Sequence, residues 1–168
     1  MIPIEIRTPR LDLVPLRVEH ADEMAAVLGD PALHTFIGGA PDDVEALRAR
    51  YRRMLAGSPD PGVSWCNWVL RLRTEDGPSL VGTVQATVVP EGHAEIAWVV
   101  GTPWQGRGFA SEAARGLVEW LAGQHVRTVA AHIHPDHRAS AAVARSAGLA
   151  ATEVIQDGEI RWEARLKV

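Results

Sequence analysis

Two glycines and an arginine lie in the segment Gln105-Gly106-Arg107-Gly108-Phe109-Ala110-Ser111, between a predicted strand and a predicted helix. Because glycine lacks a Cβ atom, successive backbone N–H groups can converge there on one anion, and the positive end of the helix dipole reinforces them. Arg107 can add a formal charge. The simpler interpretation is a tight turn before a helix. A dinucleotide-binding loop is excluded, because the next strand ends in histidines and not in a ribose-binding acid.

A second segment, His132-Ile133-His134-Pro135-Asp136-His137, carries side chains of the kind that bind zinc. The same His-x-His-x-Asp-His string holds a zinc pair in the metallo-β-lactamase superfamily, where further His and Asp ligands follow downstream. Here the residues after His137 include neither histidine nor cysteine. We therefore expect no metal ion, and interpret the segment as a strand whose histidines lie near a site.

Ser140 falls in the first turn of a predicted helix that follows this strand. A hydroxyl at that place commonly accepts a hydrogen bond from a free backbone N–H group of the helix. The residue type and position alone therefore indicate a structural role for Ser140.

The remaining pattern predicts the elements that position these residues. Period-two alternation predicts a first strand at 11–16, which tolerates Pro15 only at a sheet edge. Apolar residues at helical spacing predict helices at 19–28 and 42–56. Three strands then follow at 65–73, 80–89 and 94–100. Turn residues separate these three strands, which indicates an antiparallel meander.

The second half of the chain alternates between the two kinds of element. We predict a helix at 108–122, a strand at 126–133, a helix at 138–147, and two strands at 151–156 and 159–167 that the Asp157-Gly158 turn joins. The resulting order, β-α-α-β-β-β-α-β-α-β-β, is that of a mixed α/β sheet with antiparallel arms and one βαβ crossover at its centre. All 168 residues are expected to form one domain.

Composition excludes several classes of protein. Seventeen Lys and Arg against 21 Asp and Glu give a net charge of −4, which argues against a general nucleic-acid binder. The single cysteine, Cys66, cannot form an internal disulfide, and we expect it to be buried in a strand. There is no signal-like start and no apolar run of about 20 residues. We expect a cytoplasmic protein that binds no membrane; a homodimer is compatible with the sequence.

Taken in series, these segments resemble the GNAT superfamily of acyl-CoA-dependent N-acetyltransferases, and within it the RimJ/RimL-like branch. Gln105, Gly108 and Ala110 match the family's Gln/Arg-x-x-Gly-x-Gly/Ala loop. The strand at 94–100 looks like the family's central strand, and the opening Thr8-Pro9-Arg10-Leu11-Asp12-Leu13 and the segment 140–149 resemble its start and its late helix. The resemblance covers nearly the whole chain and implies a GNAT-like fold. His137 stands where the family usually has asparagine.

The resemblance implies that acetyl-CoA is the acyl donor, without a metal. It would bind in a V-shaped slot, where a bulged central strand separates from its parallel neighbour. Backbone groups of Trp98, Val99 and Val100 would pair with the pantetheine arm, and an N–H group near Val99 would stabilise the oxyanion. The residues expected around the pyrophosphate and the rest of the cofactor are Gln105, Gly106, Arg107, Gly108, Phe109, Ala110, Ser111 and His137.

By the same resemblance, the amine attacks the thioester directly, so Cys66 need not be a nucleophile. A base must first deprotonate the ammonium form of the amine. Glu95 is the expected base, with His93 and His134 as alternatives. Ser140 is expected to protonate the departing CoA thiolate.

The acceptor pocket is expected to be built from the loop at 30–40, the second helix and the Asp157-Gly158 turn. Trp65, Trp68 and Trp162 lie on strands, where they either line this pocket or fill the core. The expected acceptor is a primary amine of a small molecule. Two alternatives are the N-terminal α-amine of a (ribosomal) protein, and a catalytically silent module that only binds acyl-CoA.

Overall fold

The computed structural model describes residues 1–36 and 38–167, which form one eight-stranded mixed sheet and four α-helices. Its elements are β1 (Ile6–Arg7), β2 (Leu11–Pro15), α1 (Ala21–Val27), α2 (Val44–Ala56), β3 (Ser64–Leu72), β4 (Ser79–Val89), β5 (His93–Val100), α3 (Phe109–Gly123), β6 (Thr128–Ile133), α4 (Arg138–Ser146), β7 (Ala150–Gln156) and β8 (Glu159–Arg165). The strands lie in the order β1-β2-β3-β4-β5-β6-β8-β7. Within these ranges, no helix has the length and apolar character needed to cross a membrane.

The predicted order of elements is confirmed, with one addition at the start of the chain. Strand β1 pairs Ile6 with Leu13 and Arg7 with Asp12, and two residues are too short to show an alternating pattern. Pairing with β1 ends at Leu13, so Pro15 has a neighbouring strand only on its β3 side, where it pairs with Trp68. Because no described strand pairs with Pro15 on its other side, the missing N–H group of proline costs no hydrogen bond there.

Apolar side chains cover both faces of the sheet. On one face, α3 buries Ala113, Leu117 and Leu121 against residues of β3, β4 and β5. On the other face, α1 and α2 pack through Met24 and Leu47. The two clusters together hold the strands on which the site residues lie.

The side chains singled out on strands β3 and β8 belong mainly to the core. Cys66 is fully buried, as predicted, and burial raises the pKa of its thiol. Trp68 and Trp162 are buried in the same cluster, whereas Trp65 remains 38% exposed. None of these three tryptophans is among the residues found to line the central cavity described below.

The sheet opens between β5 and β6. These parallel strands pair only where His93, Ala94 and Glu95 face Thr128, Val129 and Ala130, although β5 continues to Val100 and β6 to Ile133. From Ile96 onward the two strands have no common ladder. This separation is the slot that the resemblance led us to expect.

The expected bulge lies on a different strand from the one predicted. Pairing of β5 with β4 keeps one register from His93 to Val100, whereas the register between β3 and β4 shifts at Leu70/Arg71. A Cβ atom at Gly82 of β4 would lie 2.2 Å from the Val99 carbonyl oxygen. The extra residue of the shifted register therefore lies on strand β4. Gly82 of the same strand allows the backbone of β5 to approach closely at the end of the slot.

Candidate active site

A cavity of about 480 Å³ occupies the opening between β5 and β6 and extends to the N-termini of α3 and α4. Most of the residues predicted to bind the cofactor or take part in catalysis line it. These are Trp98, Val99, Val100, Gln105, Gly106, Gly108, Phe109, Ala110, Ser111, His137 and Ser140. Arg107 and Glu95 were also predicted, but they are not among the lining residues that the structure describes.

The N-terminus of α3 is open toward this cavity. Gly108 is the N-cap residue and has φ of 81°, in the left-handed region that glycine adopts without strain. No described side chain caps the helix by a hydrogen bond. The first amides of a helix have no partner within it, so the N–H groups of Phe109, Ala110 and Ser111 can bind an anion.

The N-terminal segment of the chain holds this loop from behind. The Arg10 guanidinium donates through Nη1 to the Arg107 carbonyl oxygen at 2.8 Å and lies 4.4 Å above the ring of Phe109. Its Nη2 atom would be 3.3 Å from a Cβ atom at Gly108. Arg107 thus contributes its backbone to the loop's support, whereas its side chain is exposed.

A buried carboxylate fixes Arg10 in turn. Glu112 accepts hydrogen bonds from Thr8 Oγ1, from the Arg10 backbone N–H at 2.8 Å and from Arg10 Nε at 2.7 Å. Burial alone would raise the pKa of Glu112, but these hydrogen bonds and the charge of Arg10 outweigh it and lower the pKa. Sequence reasoning gave Thr8, Arg10 and Glu112 no role. The only sequence signal for this contact was the Thr-Pro-Arg-Leu segment at 8–11. Its role becomes visible only when the segment packs against α3.

The inner edge of β5 presents backbone polar groups to the slot. The Gly101 N–H donates to the Val81 carbonyl oxygen at 2.8 Å. The alternation of an antiparallel pair then directs the N–H and C=O groups of Trp98 and Val100 away from β4 and toward the opening. Gln105 donates from Nε2 to the Val100 carbonyl oxygen at 3.0 Å, which ties the loop to the end of the strand.

The far end of the cavity is closed by part of the expected acceptor pocket. Ala32, Leu33 and Phe36 line it from the loop at 30–40, and Glu159 lines it next to the Asp157-Gly158 turn. Ile37 of that loop lies outside the described residues. The second helix was predicted to contribute, but no residue of α2 is among the described lining residues, because its apolar side chains Leu47 and Tyr51 pack on the α1 side of the sheet.

His137 occupies a stacked position above the site. Its ring lies 4.4 Å from that of Phe36 with 14° between the planes, and the ring of His134 lies 5.0 Å from Phe36. Burial, together with the nearby charge of His134, lowers the pKa of His137. His137 is therefore a neutral imidazole at neutral pH, and its Nε2 atom lies 3.4 Å from Ser140 Oγ.

The remaining histidines of the second motif are held apart. His134 Nδ1 accepts from the Asp136 backbone N–H at 3.0 Å, and His132 Nδ1 lies 2.7 Å from Glu95 Oε1. Within residues 1–36 and 38–167, no three His, Cys, Asp or Glu side chains come together as a metal site would require. Sequence reasoning did not select His132 as a candidate base. It lies two residues before His134, so the two side chains would be expected on the same side of the sheet.

Several solved acetyltransferase structures are similar to this chain in fold. An acetyltransferase from Agrobacterium tumefaciens str. C58 is 26% identical and has a TM-score of 0.75, with 98% of this chain and 95% of that chain covered. A RimL ribosomal L7/L12 alpha-N-protein acetyltransferase in complex with coenzyme A is 16% identical, with a TM-score of 0.81 and coverage of 96% and 98%. AAC(6')-Ib in complex with paromomycin and acetyl-CoA is 17% identical, with a TM-score of 0.73 and coverage of 93% and 92%.

No curated protein matches the sequence. The family model described as "Acetyltransferase (GNAT) domain" matches residues 10–150. That range includes strands β2 to β6, among them the two that separate at Glu95, and the open N-terminus of α3. The chain therefore belongs to the GNAT family of acetyltransferases, and is an acyltransferase by family and fold.

Proposed function

We propose that residues 1–168 form a single N-acetyltransferase domain that transfers the acetyl group of acetyl-CoA to a primary amine of a small molecule. The observation that carries this proposal is the end of β5–β6 pairing at Glu95 and Ala130, beside the uncapped N-terminus of α3. The opening offers an extended backbone edge for the pantetheine arm and a cluster of amides for the pyrophosphate.

The bound cofactor would contact the chain at three places. The amides of Phe109, Ala110 and Ser111 would bind the pyrophosphate, with the backbone at Gln105, Gly106, Arg107 and Gly108 shaping the turn. The backbone edge of Trp98 and Val100 would pair with the pantetheine arm. His137 would border the thioester end, where a neutral imidazole can donate or accept one hydrogen bond.

The geometry supports direct attack of an amine on the thioester carbon. The oxyanion that then forms would be stabilised by the Trp98 or Val100 N–H group, on either side of the position predicted from the sequence. A preorganised donor of this kind contributes about 10²- to 10³-fold in rate. Deprotonation of the amine falls to the pair formed by Glu95 and His132, which adjoins the same opening.

The acceptor would enter between the loop at 30–40 and the start of β8. Glu159 lines this end, and its carboxylate favours a cationic amine. The fold likeness to RimL favours a second candidate of the same chemistry, the α-amine of a protein N-terminus in the RimJ/RimL-like manner. A silent acyl-CoA-binding module is the third candidate, although it would not need Glu95, His132 and Ser140 around the opening.

A screen for CoA thiol release separates these candidates. Purified protein and acetyl-CoA are incubated with small primary amines and with short peptides that have free N-termini, and acetylated products are identified by mass spectrometry. Turnover with small amines supports the proposal, and turnover confined to peptides supports the α-amine alternative. Acetyl-CoA binding without any CoA release would instead indicate the silent module.

Replacing Ser140 with alanine is expected to lower kcat while leaving the dissociation constant of acetyl-CoA within about twofold. The Ser140 hydroxyl lies at the N-terminus of α4 and borders the cavity, so it can protonate the departing thiolate. Acid–base groups contribute roughly 10²- to 10⁴-fold, and we expect the low end of that range because a thiolate leaves readily. Ser146→Ala, at the far end of the same helix, is the control. Equal kcat in Ser140→Ala and wild type would remove Ser140 from the reaction.

A further inference from the structure

The last paired residues of β5 and β6 carry a carboxylate–imidazole pair. Glu95 faces Ala130 across the parallel strands, and His132 follows Ala130 by two positions. Because strand side chains alternate with period two, Glu95 and His132 project from the same side of the sheet. Their atoms Oε1 and Nδ1 are 2.7 Å apart.

The two members of the pair face different surroundings. The Glu95 side chain is 58% exposed and lies outside the cavity lining, whereas the His132 side chain is 14% exposed and lines the cavity. The Nε2 atom of His132 is buried and has no hydrogen-bond partner among the described residues. When Nδ1 carries the proton and donates it to Glu95, Nε2 retains a lone pair and can accept a proton.

We propose that His132 is the general base of the reaction and that Glu95 is a positioning residue that holds its tautomer and orientation. This assignment rests on the proposed function and sharpens it. Sequence reasoning placed the base on Glu95 itself, with His93 and His134 as alternatives. Glu95 is not among the described residues that line the cavity, whereas His132 is, so we assign proton removal to the imidazole.

The proposed step begins with an alkyl ammonium acceptor beside the thioester. One N–H bond of the ammonium breaks, its proton passes to Nε2 of His132, and the freed lone pair forms the C–N bond with the thioester carbon. Collapse of the tetrahedral intermediate breaks the C–S bond. The second proton lost by the nitrogen ends on the CoA thiol through Ser140, and the imidazolium returns the first proton to solvent.

The charged groups around His132 favour a cationic substrate. Strand β8 pairs Arg161 with His132 and Glu163 with Ala130, and the Arg161 guanidinium is bound to Glu163. Glu95 on β5 and Glu159 at the start of β8 add two further carboxylates, and His134 lies two residues along β6. Among these named groups, the three carboxylates outnumber the one guanidinium, which favours an ammonium ion beside His132.

Two amines of different basicity test the proposal. At pH 7, 2-phenylethylamine is an ammonium ion, whereas aniline is uncharged and needs no base before it attacks. In His132→Asn we expect kcat with 2-phenylethylamine to fall about 10²- to 10⁴-fold, and kcat with aniline to fall less than about tenfold. In Glu95→Gln, kcat with 2-phenylethylamine should again fall more than kcat with aniline, but the loss should be smaller than in His132→Asn. The dissociation constant of acetyl-CoA should not change in either variant.

His125→Asn is the matched control, because His125 is exposed before β6 and its φ of 63° is one that asparagine adopts readily. Two kinetic results would overturn the proposal. One is an equal loss with both amines in His132→Asn, which would indicate a role other than proton removal. The other is loss of turnover in Glu95→Gln with activity retained in His132→Asn, which would return the base to the carboxylate.

A measurement without turnover keeps the pair testable if the enzyme accepts neither amine. Nitrogen-15 NMR of the labelled wild-type protein is expected to show His132 in the Nδ1–H tautomer, and this preference should be weaker in Glu95→Gln, because an amide can either accept from Nδ1–H or donate to Nδ1. A wild-type Nε2–H tautomer would contradict the proposed pair. Absence of turnover across the whole amine and peptide screen, with the Nδ1–H tautomer present, would contradict the proposed function alone.

Discussion

Replacing Gly108 with valine is expected to weaken acetyl-CoA binding by at least about tenfold. Gly108 is the N-cap residue of α3 and has φ of 81°, a conformation that costs a β-branched residue on the order of 1–3 kcal/mol. A Cβ atom there would also lie 3.3 Å from Arg10 Nη2. The turn must therefore rearrange, and the amides of Phe109, Ala110 and Ser111 lose their common direction.

Isothermal titration calorimetry with acetyl-CoA measures this effect directly. Gly123→Ala is the control, because it lies at the other end of α3 and a Cβ atom there would meet open space. Both variants should retain the circular dichroism spectrum of the wild type. Unchanged affinity in Gly108→Val would show that the pyrophosphate does not bind at this turn.

Replacing Glu112 with glutamine is expected to destabilise the fold and to weaken acetyl-CoA binding together. Glu112 accepts three hydrogen bonds from Thr8 and Arg10, and Arg10 holds the Arg107 carbonyl oxygen. The glutamine side chain has one oxygen that accepts hydrogen bonds and one NH2 group that only donates them. It therefore cannot accept from all three donors. Leaving a buried donor unpaired costs about 1–3 kcal/mol, and the loop loses its support from the N-terminal segment.

The same variant has a defined dependence on pH. The pKa of Glu112 is lowered in the folded protein, so its carboxylate stabilises the fold above the ordinary glutamate value of about 4.3. That contribution is lost as the pH falls through the lowered folded value. The difference in free energy of unfolding between wild type and Glu112→Gln should therefore be largest near pH 7 and shrink in acid.

Urea denaturation at several pH values measures this difference. Glu119→Gln, an exposed substitution on the same helix, should unfold as the wild type does throughout. A Glu112→Gln variant whose stability deficit stayed constant down to pH 3 would show that the carboxylate charge is not what holds the segment.

The strands, the helices and the cofactor loop could be predicted from local patterns. Alternating apolar residues identify β4 and β5, helical spacing identifies α3, and the glycines at 106 and 108 mark the turn between them. These signals are strong because each depends on neighbouring residues and on rules of backbone geometry. Strand β1 escaped prediction for the same reason, since two residues carry no period.

Contacts between distant segments could not be predicted in this way. Thr8 and Arg10 meet Glu112 across more than a hundred residues, and the register shift at Leu70/Arg71 appears only when β3 is paired with β4. The acceptor pocket could not be predicted for the same reason. The second helix was expected to line it, but α2 packs against α1 in the cluster that contains Met24 and Leu47. No local pattern specifies which pairs of elements touch.

The clearest division concerns the proton-accepting group. The resemblance to the GNAT family, together with the position of Glu95 on its strand, was enough to select Glu95 as a titratable group beside the expected slot. They could not show that His132 both lines the cavity and contacts Glu95, because this depends on the register of two parallel strands joined by a whole helix. Sequence specifies which chemical groups are available on each element, and the long-range pairing of those elements specifies which of these groups line the cavity.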